Sequence, residues 1–140
     1  MIIARTLALI IVASVSLNIS FCSSSQSKGN LGNSNIPVGW IDENTYWINA
    51  EGRPTSSVKN VQQRRLSAKQ AAIHNAHFKL YDKFQIYKIK EITQIKRIKK
   101  IIENGTVLKK NEMYSNNDSC AIIYEVKSKN LKNEIKQVTN

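Results

Sequence analysis

The sequence predicts an α+β domain, with one long core helix and a shorter second helix packed on a small, mainly antiparallel sheet. Three observations predict it. Residues 57–84 repeat apolar side chains at helical spacing, residues 45–49 and 120–127 read as extended runs, and residues 93–103 carry a second, shorter amphipathic pattern. The chain has 140 residues, which suits one domain of modest core size.

The N-terminus is a different kind of segment. Arg5 precedes an apolar run over residues 7–15 and then small and polar residues, the composition of a secretory signal peptide. Ser14, Ser16, Asn18 and Ser20 interrupt the run well short of the roughly 20 apolar residues that a membrane span needs. An uncleaved anchor is the alternative. The run ends Ile19-Ser20-Phe21-Cys22 and continues with three serines. This resembles a bacterial lipobox, in which the cysteine is acylated and becomes the first residue of the mature protein, although Phe21 stands where that pattern has Gly, Ala or Ser. The resemblance implies a signal peptide at 1–21 and lipid on Cys22. Residues 22–35, rich in Ser, Gly and Asn, then read as a flexible tether. A Cys22 to Cys120 disulfide is the competing reading. With lipid on Cys22, Cys120 stands alone, and its setting, SCAIIYEV, is that of a buried strand thiol rather than a nucleophile.

The folded part is expected over residues 36–140. A turn at Asn44 leads into a strand at 45–49, whose alternation leaves open whether Tyr46 and Ile48 or Thr45 and Trp47 face the core. Gly52 and Pro54 break the chain, and Ser56 or Ser57 is placed to cap the helix. In that helix Val58, Val61, Leu66, Ala68, Ala72, Ile73, Ala76, Leu80 and Phe84 fall on one arc of about 160° at 100° per residue. Ala68, Ala72 and Ala76, four apart, leave its centre with little bulk, so it can approach a sheet closely.

Isoleucines then recur at 86, 89, 92, 95, 98 and 101, a step of three that fits no single element. The reading divides them into a strand at 86–90 and a helix at 93–103, closed by Asn104-Gly105 as a C-cap. An Asn-Gly hairpin between two strands is the rival. Residues 106–114 and 120–127 form an antiparallel pair across the turn SNNDS, and the remainder reads as a frayed basic tail.

The formal charge is +11. On the second helix Lys96, Arg97, Lys99 and Lys100 lie away from the isoleucines, a candidate face for an anionic partner such as acidic lipid, cell-wall polymer or an envelope or flagellar protein. A merely solvated covering helix is the competing reading. His74 and His77 have no third ligand at metal spacing, so no metal and no cofactor are expected. Asp42, Glu43 and Glu51 make a loose acidic group whose separation sequence leaves open. Trp40, Tyr46 and Trp47 could stack on bases, but an exported chain is not expected to meet nucleic acid. No residue is assigned as catalytic.

The Trp-containing start GWIDENTYWINAEGRPT, the helix core RRLSAKQAAIHNAHFKL and the late strand CAIIYEVKSKNLK together resemble the Lpp-twenty group of bacterial outer-membrane lipoproteins, spirochaetal members above all. They are also similar to the N-terminal domain of flagellar H-ring assembly proteins. Two departures are Arg65 and Lys69 on the helix arc and the Ile/Lys-rich stretch after it. The resemblance implies an envelope lipoprotein, most simply of the outer membrane, that binds, assembles or braces and does not catalyse. A surface adhesin or ligand-binding lipoprotein is the alternative, and a secreted soluble enzyme a third reading.

Overall fold

The computed structural model describes residues 37–139; the expected signal peptide, Cys22 and the tether lie outside them. The fold is α+β. In chain order the elements are β1 (Gly39–Trp40), β2 (Thr45–Gly52), α1 (Val61–Lys83), α2 (Ile92–Glu103), β3 (Thr106–Val107), β4 (Met113–Tyr114), β5 (Cys120–Lys127) and α3 (Leu131–Thr139). The sheet runs β1-β2-β5-β3, with β4 also pairing β5, and every pairing is antiparallel.

Strands β2 and β5 pair over their whole length, from Thr45 opposite Lys127 to Gly52 opposite Cys120. Directly opposed residues share a face, so the register decides which set is buried. Tyr46, Ile48 and Ala50 lie against Val126, Tyr124 and Ile122 on the side that α1 covers, and all six are buried. Trp47 therefore falls on the opposite face, where its indole N–H donates to Glu125 at 2.7 Å. Its neighbour Trp40 turns the other way, stacking on Phe84 at 5.8 Å and meeting Tyr46 edge-on at 5.0 Å, and so closes one end of the core.

Helix α1 begins later than the serines suggest, because Asn60 is its N-cap: Asn60 Oδ1 accepts from the backbone N–H of Gln62 and Gln63. The alanine stripe does seat the helix on the sheet, with Ala68, Ala72, Ala76 and Leu80 fully buried. The N-terminal half of the expected arc does not. Val61 and Leu66 are 54% and 59% exposed; at 100° per residue Leu66 lies about 160° round the helix from the buried Ala68, on the side away from the sheet. The two cations on the arc have partners: Lys69 Nζ donates to Glu112 at 2.7 Å, and Arg65 lies over the Tyr114 ring and beside Asp118.

The expected strand at 86–90 is absent. Gln85 takes a left-handed conformation and turns the chain into a single 3₁₀ turn, Ile86–Lys88. Residues three apart eclipse in such a turn, so Ile86 and Ile89 both point into the core. That turn absorbs the first two members of the isoleucine series; of the rest α2 buries Ile98, together with Ile102, which lies outside the series. Asn104 ends α2 as expected, and the rival hairpin does not form. Gly105 is required here by space: a Cβ would lie 2.5 Å from the Tyr124 ring and 2.6 Å from Glu125 O.

Residues 106–114 pair with β5 only at their ends, as β3 and β4, with a 3₁₀ turn, Lys109–Asn111, between them. The basic tail is not frayed but helical. In α3, Leu131 and Ile135 enter the core, and the turn before β2 receives the start of the helix. Asn44 Oδ1 accepts from Asn130 N, Asn44 O from Ser128 N, and Glu43 O from Lys132 N.

Candidate functional site

The cation-bearing face of α2 takes its form from the helix's two neighbours. At 100° per residue, Ile98 and Ile102 mark the buried direction, while Ile92, Lys96 and Lys100 occupy the solvent side. Lys99 and Arg97 flank that arc. Lys99 turns towards α1, where its ammonium lies 5.7 Å from the centre of the Tyr81 ring. Arg97 turns towards α3, where Nε sits 2.8 Å from Glu134 Oε1. The structure thus keeps all four residues, Lys96, Arg97, Lys99 and Lys100, exposed on one helix but divides them by partner. Lys96 and Lys100 alone face straight outward.

Between α2 and α3 runs a groove that sequence reasoning did not anticipate. Two adjoining pockets of about 310 and 290 Å³ share Gln94, Gln137 and Val138; the first adds Arg97, Lys129 and Glu134, the second Lys88, Lys90 and Glu91. Its signal was present in the tail: Leu131, Ile135 and Val138 at helical spacing, with lysines between them. Cations outnumber acids along it, so anionic or amide-bearing ligands suit it better than cationic ones.

A second group lies under α2. His77 Nε2 is 2.9 Å from Tyr124 Oη, which donates at 2.9 Å to Ile102 O. Since the phenol's proton is committed to the carbonyl, His77 must carry its proton on Nε2 and donate. Burial holds the His77 imidazole below its usual pKa, and the adjacent His74 adds to that. Tyr124 is pushed up to about 12, chiefly by burial. The His74 and His77 rings stand 6.3 Å apart, and among the described residues no group of three His, Cys, Asp or Glu side chains could hold a metal ion.

A third polar group surrounds Cys120, which is fully buried. Burial pushes its thiol up, the opposite of what an attacking thiolate needs. Beside it Glu112 accepts from both Lys69 and the Tyr114 hydroxyl, donors that hold its carboxyl below the usual range. Each charge here has its counter-charge.

The acidic trio is not a site. Asp42 Oδ1 accepts from Asn44 N in the turn before β2, and Glu43 pairs with Lys132. Glu51 lies at the far end of β2, six strand residues beyond Thr45, which at about 3.3 Å per residue is some 20 Å. The aromatic trio is divided as well, with Trp40 and Tyr46 in the core wall and Trp47 on the far face of the sheet. Cys22 falls outside the described residues. Among those residues no helix is long and apolar enough to cross a membrane. No family model, curated protein or solved structure matches the chain.

Proposed function

We propose that the chain is a membrane-anchored envelope lipoprotein, held by lipid on Cys22, whose folded domain is a binding, assembly or structural module rather than a catalyst. The observation that carries the module reading is the outward row on α2, where Lys96 and Lys100 have no counter-ion among the described residues and Lys99 is held beside them on Tyr81. The anchoring half rests on the apolar run that stops at Cys22 and on the Ser/Gly/Asn-rich residues after it. The resemblance to outer-membrane lipoproteins supports that membrane as the address, with wall polymer, lipid or other envelope or flagellar proteins as the partners it suggests.

The groove between α2 and α3 favours a second reading, a surface lipoprotein that captures a ligand, because it offers an open polar groove the size of a small molecule. Exposure on intact cells separates the two: a ligand-capturing surface protein is cut by added protease, and an inward-facing module is not.

The anchor is tested by the mass of the mature N-terminus and by detergent partitioning of the unmodified chain beside Cys22→Ser. The expected result is an acylated Cys22 and loss of partitioning in the variant. An N-terminus cleaved elsewhere and free of lipid overturns the reading.

A further inference from the structure

The outer surface of the helical layer carries apolar side chains as well as cations. Phe78, Tyr87 and Ile92 are 67%, 72% and 69% exposed, values that exclude them from the core. Phe78 meets Tyr81 edge-on at 6.4 Å, and Tyr81 carries the Lys99 ammonium on its ring. Phe78, Tyr81 and Lys99 therefore form one connected row from α1 to α2. On α2 the same solvent arc continues through Ile92, Lys96 and Lys100, with Glu103 the acid among them. Tyr87 stands in the turn that joins the helices, between the buried Ile86 and Ile89.

We infer that this surface, Phe78, Ile92 and the lysines 96, 99 and 100, is where the domain lies on an anionic lipid bilayer. The inference rests on the anchored-lipoprotein reading for its setting and deepens it by naming the partner. Charge complementarity supports it, because 21 Lys and Arg against 10 Asp and Glu draw the whole chain to a negative surface and the α2 row orients it there. The exposed apolar residues favour lipid over a hydrophilic polyanion. A charged polymer has no use for Phe78 and Ile92, whereas the boundary between headgroups and acyl chains takes up apolar side chains while the lysines reach back to phosphate. The α2 geometry matches, with Ile92 and Lys96 one turn apart on a single arc.

The test uses the full chain as Cys22→Ser, so that no lipid anchor contributes, with vesicles of phosphatidylcholine alone or mixed with phosphatidylglycerol. A nitroxide on Ile92→Cys reads depth, Cys120 being buried. Three results are expected. Binding prefers the phosphatidylglycerol vesicles and weakens with salt. Lys96→Glu with Lys100→Glu loses at least about 25-fold of that preference, at roughly fivefold per lysine near an anionic surface. The nitroxide is shielded from an aqueous quencher on binding. Lys96→Gln with Lys100→Gln gives an intermediate loss without charge reversal. Equal binding by the parent and the glutamate variant, or a nitroxide fully open to the quencher in the bound state, overturns the inference. An unmodified Cys22 in the native protein, found beside lysine-dependent vesicle binding, overturns the anchor and leaves this surface standing.

Discussion

Gly52 shows how much one residue decides here. A Cβ at this position would sit 2.2 Å from both Ala68 O and Ala72 N, backbone atoms of a helix that cannot retreat without uncovering the core. The small side chains of α1 and the missing side chain of β2 are thus one feature. Gly52→Ala is expected to cost about 3 kcal/mol, the upper part of the range for overpacking, read as a lower denaturant midpoint. His77 gives a pH dependence. Its pKa is lowered in the fold, so the unfolded chain binds the proton more readily. The contribution to stability is complete above the imidazole's ordinary value of about 6.5 and declines as pH falls below it. Unfolding free energy measured from pH 8 to 5 should fall across that window, and His77→Gln should flatten the decline. Neither residue announced itself in the sequence. Gly52 read as a chain break and His77 as a histidine without a metal partner, because both roles depend on atoms about 20 to 50 positions away.

At the scale of elements, the exposed side of β2 is the least protected edge of the sheet. Strand β1 covers it only at Tyr46 and Trp47. Two residues further the same register would bring Pro37 opposite Asn49, and proline has no N–H to give. Helix α1 supplies donors instead: Lys79 Nζ to Asn49 O at 2.9 Å and Asn75 Nδ2 to Glu51 O at 2.7 Å. These occupy carbonyls that could otherwise recruit a strand from another molecule. Lys79→Ala with Asn75→Ala should leave the fold in place and make the chain self-associate at lower concentration than the parent, which sedimentation velocity would detect. An unchanged sedimentation profile would show that the side chains do not guard the edge. Among the helices, α1 and α2 were legible because their own apolar periodicity marks them. Helix α3 was missed although Leu131, Ile135 and Val138 carry that period. Its nine residues are too few to be stable alone. It forms because the turn at Glu43 and Asn44 takes up its first donors.

For the molecule as a whole, 21 Lys and Arg stand against 10 Asp and Glu. Helix α2 presents Lys96 and Lys100 outward, with Lys99 beside them on Tyr81, and several of the acids are drawn into pairs, Glu112 with Lys69, Asp118 with Arg64 and Arg65, Glu134 with Arg97. Pairs this close to the surface add at most about 1 kcal/mol each, so their larger effect is to leave the outward lysines uncompensated. By itself the sequence determined the α+β class, the long helix with its alanine stripe, the span of α2, the pairing of the two ends of residues 106–114 with 120–127, and the excess of positive charge. These follow from periodicity and composition, which act over a few neighbouring residues. Only the tertiary structure decided which face of β2 is buried, that residues 86–90 form a 3₁₀ turn, that the tail is a helix, and which of the four α2 cations face solvent alone. Those outcomes depend on register and on contacts between distant segments, where the energy of a residue's own local preference is smaller than that of the core it must fit.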